Sequence, residues 1–302
     1  MEWLRNTASL MRYQEWVKNV FVFAAPLFAR KLTEPGILPS TLLAFAAFCC
    51  ISSAVYIVND AADVERDRLH PKKKFRALAS GRVSLTYAYT VLCILVVLGL
   101  GLAWTAGGLK VVAVLALYGA SNVLYSYVLK YLVILDVGFI AVGFILRIMA
   151  GALAADAPPS YWLILCTLNV SLFLGFAKRR AEVVTLGDDA GHHRAVLADY
   201  SVGFLDQMIS IVTTSTLICY ILYTVDDRTI EHFGTRWLVI TVPFVMYGIF
   251  RYLFLSYHRQ EGGSPTRVVL TDPLFLGNNA LWAITCVVLI YWGRDIEGWI
   301  SQ

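Results

Sequence analysis

The chain has 302 residues, 58% of them hydrophobic and 15% charged, with a mean hydropathy of +0.65 and a formal net charge of +4. Soluble domains average about 45–50% apolar and about 25% charged residues, so this composition excludes an ordinary soluble domain and indicates an all-α, polytopic membrane protein. The modest net charge matters through its distribution, and no nucleic-acid partner is expected.

A membrane-crossing helix needs about 20 mainly apolar residues. In chain order, nine stretches qualify: roughly 16–29, 38–58, 84–105, 109–129, 132–154, 160–177, 207–225, 236–255 and 278–294. The first and last are short. The first follows Arg5 and Arg12 and could be misread as a signal peptide, but Lys18 and Pro26 interrupt it, so we read it as an uncleaved helix. The six cysteines lie in apolar runs without CxxC spacing and read as packing residues.

Three connections are long: 59–83, 178–206 and 256–277. Placing the N-terminus in the cytoplasm puts eighteen of the cations on that side and six outside, a bias that sets the orientation. The two most charged connections follow the second and sixth spans. That spacing suggests two four-helix halves plus a ninth helix, forming one domain over 1–302.

The connection after the second span is the most informative. It holds Asn59, Asp60, Asp63, Glu65 and Asp67, followed by Arg66, Arg68, Lys72, Lys73, Lys74, Arg76 and Arg82. If the helix continues, Asn59, Asp63 and Asp67 fall one turn apart on one face. Oxygen ligands so spaced suit Mg²⁺, which binds through one or two carboxylates plus substrate phosphates. A loop that only obeys the positive-inside rule needs Lys and Arg but no spaced acids.

The connection after the sixth span opens with Lys178-Arg179-Arg180-Ala181-Glu182, in which Lys178 and Glu182 are i, i+4 partners, or an interfacial anchor. His192 and His193 are adjacent and make a poor chelating pair. Lys18 either snorkels to the interface or faces a polar cavity. Arg147 lies well inside the fifth span, where a charge is costly and functional by default. Lys130 and Asp136 flank the start of that span, as part of a site or as an ion pair.

Asn59-Asp-Ala-Ala-Asp63-Val-Glu-Arg-Asp67, with Arg76 and Gly81 following, resembles the first aspartate-rich motif of the UbiA prenyltransferase superfamily, intramembrane enzymes of nine helices that bind a magnesium–diphosphate substrate. Trp16-Val-Lys-Asn19, Ala25-Pro26, Lys73-Lys-Phe-Arg76, Lys178-Arg-Arg-Ala-Glu182 and His193-Arg-x-Val-Leu-x-x-Tyr200-Ser201 resemble its decaprenyl-phosphate phosphoribosyltransferase branch. The resemblance covers essentially the whole chain. Two departures stand out: Arg76-Ala77 where the superfamily has Arg-Pro, and Lys178-Arg179-Arg180 with Glu182 where prenyl-transferring members have a second aspartate-rich motif.

The resemblance implies transfer of 5-phosphoribose from phosphoribosyl pyrophosphate to a polyprenyl phosphate, supplying a β-linked donor for cell-wall arabinan. It implies a bacterial plasma-membrane enzyme whose site faces the cytoplasm; it does not fix an oligomeric state and is compatible with a homo-oligomer. Asn59 and Asp63 would hold Mg²⁺, with Asp60 and Asp67 beside them in the catalytic group. Lys18, Tyr56, Lys73, Arg76, Lys130, Arg147, Lys178, Arg179 and Glu182 would contact the substrates. A donor with a diphosphate and a further phosphate, and an acceptor with its own, call for more Lys and Arg and fewer carboxylates than a prenyl diphosphate does. The rival readings are a prenyl diphosphate-dependent aromatic prenyltransferase and a non-enzymatic lipid or ion carrier. Charges gathered at one membrane face argue against the carrier.

Overall fold

A computed structural model describes residues 2–69, 73–187, 191, 195–258 and 271–300, and no strand occurs among them. Seven of the described helices are long and apolar enough to cross a membrane. One of them, Leu85–Tyr127, is two helices joined at Gly107 and Gly108, so the expected spans at 84–105 and 109–129 are both present. Gly108 takes the break with a φ of 63°, a value that favours glycine. The two arms form a hairpin along the Ile37–Ala62 helix: Gly99 of the first arm abuts Ile51, while Ser126 of the second reaches Asn59.

The expected first span is different. Residues Tyr13–Phe23 form a 3₁₀ helix that runs into a short α-helix, Ala24–Phe28. With three residues per turn, Trp16, Asn19 and Val22 stack in one row. Trp16 then donates to Ser53, Asn19 donates to Ser52, and Val22 enters a core with Ala44, Ala47 and Phe48. An α-helix would rotate Val22 away from that row, so packing explains the tighter winding.

Other boundaries move outward. The expected span at 160–177 is the helix Tyr161–Leu186, which carries Lys178 to Glu182 as two further turns. The last, expected at 278–294, is Pro273–Ile300. Ser84, Ser160 and Ser201 each cap a helix by accepting the backbone N–H three residues on, at 3.2, 3.1 and 3.1 Å.

The chain divides into two compact units. One comprises 1–130 and 143–159, the other 131–142 and 160–302, so the helix Leu135–Ala154 contributes to both. In the first unit two clusters form the core, one around Phe48, Leu115 and Leu146, the other around Leu10, Ile57 and Leu95. The second unit is built around Val137, Phe176, Leu205 and Tyr252. His192 and His193 lie outside the described residues, as does Lys72.

Candidate active site

In the first unit the acidic motif straddles a break. The Ile37–Ala62 helix ends one residue before Asp63, and the short helix Val64–Leu69 follows. The backbone nonetheless keeps its register, since Asp63 N–H donates to Asn59 and Asp67 N–H donates to Asp63, at 3.0 and 2.8 Å. Asn59, Asp63 and Asp67 are therefore one turn apart, as the spacing predicts, but their side chains meet different surroundings.

Asp60 and Asp67 are buried and paired with arginines. Arg12 donates to Asp60 through Nε at 3.2 Å and through Nη2, and its guanidinium lies 5.0 Å from the ring centre of Tyr56. Arg76 Nη1 donates to Asp60 at 3.2 Å and to Asp67 at 2.5 Å. Asp63 is more open, with 35% of its side chain exposed, and Lys130 Nζ lies 3.8 Å from it. The Asn59 side-chain carbonyl accepts from Ser126 at 2.6 Å and keeps a second lone pair. Among the described residues no three His, Cys, Asp or Glu side chains converge on a metal position. Asn59 and Asp63 still fit Mg²⁺: they are neighbouring oxygen donors, one of them open, and this ion takes most of its remaining ligands from water and substrate.

Deeper in the same unit, Arg147 is 5% exposed. It donates to Asn19 at 2.8 Å, to the Gly143 carbonyl at 2.8 Å and to the Tyr118 hydroxyl at 3.1 Å. Lys18 Nζ lies 2.5 Å from Glu15, and Lys73 opens a 3₁₀ turn, Lys73–Phe75, just before Arg76.

In the second unit the basic motif is helical. Lys178 Nζ and Glu182 are 4.0 Å apart, as i, i+4 spacing predicts. Arg179, 1% exposed, bonds Asp136 at 2.7 Å and Glu182 at 2.5 Å. Tyr200 donates to the other Asp136 oxygen at 2.7 Å and accepts the Ile134 N–H at 2.7 Å. That second bond holds Ile134 at a φ of 69°, costly for a β-branched residue. Burial and the adjacent Asp136 carboxylate push the Tyr200 phenol above its ordinary pKa. Arg180 stacks 3.7 Å from the Tyr257 ring centre and bonds Asp206 at 2.5 Å.

Each of the two charges flanking the fifth span thus has a partner of its own, Asp63 for Lys130 and Arg179 for Asp136. Asn19, Tyr118 and Tyr200 were missing from the sequence-derived site. The only signal for Asn19 and Tyr200 is their place in the Trp16–Asn19 and His193–Ser201 motifs. Arg12 reads in the sequence as an orientation signal alone.

The profile of the UbiA prenyltransferase family matches residues 19–292. The chain is 33% identical over 285 residues to the decaprenyl-phosphate phosphoribosyltransferase of Corynebacterium glutamicum, covering 93% of this chain and 85% of that one. It is 31% identical over 292 residues to the protein of the same name from Mycolicibacterium smegmatis, covering 93% and 91%. The fold resembles that of a UbiA homologue from Archaeoglobus fulgidus bound to GPP and Mg²⁺, with a TM-score of 0.71, 18% identity and coverage of 94% and 99%. An apo UbiA homologue from Aeropyrum pernix K1 gives 0.65, 16%, 91% and 98%.

Proposed function

The chain belongs to the UbiA prenyltransferase family, and from that premise we propose that it transfers 5-phosphoribose from phosphoribosyl pyrophosphate to a polyprenyl phosphate. The observation that carries this reading is the 30–33% identity, over 93–94% of the chain, to relatives named decaprenyl-phosphate phosphoribosyltransferase. The basic motif at Lys178 to Glu182 supports it, because it offers cations where a second acidic motif would offer metal ligands.

In this reading Asn59 and Asp63 hold Mg²⁺, which when bound neutralises charge on the donor's diphosphate. Arg76, oriented by Asp60 and Asp67, offers its remaining N–H groups to a phosphate. Lys18, Tyr56, Lys73, Lys130, Arg147, Lys178, Arg179 and Glu182 complete the substrate contacts. A phosphomonoester acceptor has its second pKa near 6 and is already anionic at neutral pH, so it needs no strong base. The residues then act by aligning acceptor and donor and by stabilising charge on the departing pyrophosphate. In-line displacement at the α-configured carbon gives a β-linked product. The product's use as an arabinan precursor, the bacterial plasma membrane and a cytoplasm-facing site belong to the same proposal.

The test incubates membranes containing the protein with labelled phosphoribosyl pyrophosphate, Mg²⁺ and polyprenyl phosphate. Label should enter the organic phase. If it does not, and a labelled prenyl diphosphate is transferred to an aromatic acceptor instead, the prenyltransferase reading replaces this one.

A further inference from the structure

The first unit carries a half-open groove of about 250 Å³ between the Ile37–Ala62 helix and the two arms of the Leu85–Tyr127 hairpin. Ile51, Val55, Leu100 and Leu115 give it an apolar wall, and the small residues Ala54 and Gly119 give it width. An added Cβ at Gly119 meets nothing within 4 Å, so the missing side chain leaves open space. Among the described residues the polar side chains on the wall are Asn59 and Asn122. Both sit near the ends of their helices. The Asn59 carbonyl accepts from Ser126 at 2.6 Å, and the Asn122 amide donates to the Tyr118 carbonyl at 2.8 Å. The groove thus has an apolar length and one polar end. From Ile51 to Asn59 it runs about 12 Å, at about 1.5 Å per helical residue.

The walls belong to helices long and apolar enough to cross a membrane, so the medium around the groove is hydrocarbon and not water. An apolar gap left unfilled forfeits the dispersion contacts of its lining, and a chain of methyl and methylene groups restores them. The polar end selects the lipid. Asn59 stands one turn before Asp63, and Lys130 Nζ lies 3.8 Å from Asp63, so a cation stands just beyond that end. A phosphate joined directly to a single hydrocarbon chain fits both features, with the chain along the groove and the phosphate beyond Asn59. A phospholipid places glycerol and a second chain at the same point, and the groove has room for one chain only.

We propose that this groove seats the first stretch of the acceptor's polyprenyl chain and that Gly119, by lacking a side chain, keeps it open. This deepens the transferase reading and rests on it. The remainder of a long chain extends beyond the groove into the bilayer.

The experiment uses the full-length protein in phospholipid nanodiscs. A polyprenyl phosphate carrying a diazirine in an isoprene unit near the phosphate should cross-link, on illumination, to the segments 92–100 and 115–123. Unlabelled decaprenyl phosphate should suppress that labelling. Gly119→Leu, which puts a side chain into the open space, should raise the KM for decaprenyl phosphate about tenfold or more, a cost in the usual range for overfilling an apolar site. The KM for phosphoribosyl pyrophosphate and the melting temperature should not change. Gly101→Leu is the control: an added Cβ there also meets nothing within 4 Å, but the position lies off the groove. Cross-links elsewhere in a protein that transfers normally overturn the proposal, as does an unchanged acceptor KM in a folded Gly119→Leu. A diazirine phosphatidylglycerol that labels the two segments undiminished by saturating decaprenyl phosphate makes the groove a phospholipid site and overturns it too. Should Gly119→Leu not fold, the cross-links on the wild type still decide. A wild type that transfers no phosphoribose defeats the transferase reading and this proposal with it, whereas normal transfer with cross-links elsewhere defeats the proposal alone.

Discussion

Arg76 joins two buried carboxylates through one nitrogen: its Nη1 lies 3.2 Å from Asp60 and 2.5 Å from Asp67. Arg12 grips Asp60 from the other side. Two of the four aspartate and asparagine side chains in the motif thus orient arginines, whereas Asn59 accepts from Ser126 and Asp63 stays partly open.

The first prediction follows from that arrangement. Arg76→Ala leaves Asp67 buried without a cation and should cost about 3 kcal/mol of stability. Arg76→Lys should keep most of the stability, because an ammonium can still pair with the acids. It should nevertheless lower kcat or raise the donor KM about tenfold, since a point charge does not replace the planar fork. Thermal melts and steady-state kinetics with each substrate varied separately check both statements.

Asp63 should behave in the opposite way. Its ion pairs are long, 3.8 Å to Lys130 and 4.0 Å to Arg66, and its side chain is partly open. Asp63→Ala should therefore change stability by only about 0.5 kcal/mol. Activity should fall about a hundredfold or more if this carboxylate holds Mg²⁺, and excess chelator should have the same effect on the wild type. Full activity in either case removes the metal assignment.

Breaking the Asp136–Arg179 pair tests the second unit. Asp136→Asn should destabilise the protein by about 1–3 kcal/mol, because Arg179 loses one of its two carboxylate partners and keeps Glu182. Adding Arg179→Met should recover part of the loss. Tyr200 adds a pH dependence. Its folded-state pKa is raised above the ordinary value of about 10, so its stabilisation is complete below pH 10 and declines as the pH rises toward the folded value. The wild type should lose more stability above pH 10 than Tyr200→Phe does.

Gly151 tests the packing beneath Arg147. A Cβ at this position would collide with the backbone carbonyl of Val22, which cannot rotate away. Gly151→Ala should destabilise the protein by about 1–3 kcal/mol, read as a lower melting temperature. Gly138, where an added Cβ meets nothing within 4 Å, is the control on the same helix.

Composition and hydropathy by themselves determined the class, because about 20 apolar residues in a row have few places to go except a bilayer. They also located most of the helices. The spacing of Asn59, Asp63 and Asp67 survived as a backbone fact, one helical turn at each step. Spacing fixes which residues share a face, but it says nothing of what packs against that face. Asp60 meets Arg12 across 48 positions and Arg147 meets Asn19 across 128, contacts that exist only once distant helices have packed. The 3₁₀ winding of Tyr13–Phe23 has the same origin: its row of Trp16, Asn19 and Val22 follows the surface of the Ile37–Ala62 helix and not any local preference for that winding. Tertiary packing alone therefore decided which acid orients an arginine, which stays partly open, and which buried arginine is held by neutral groups.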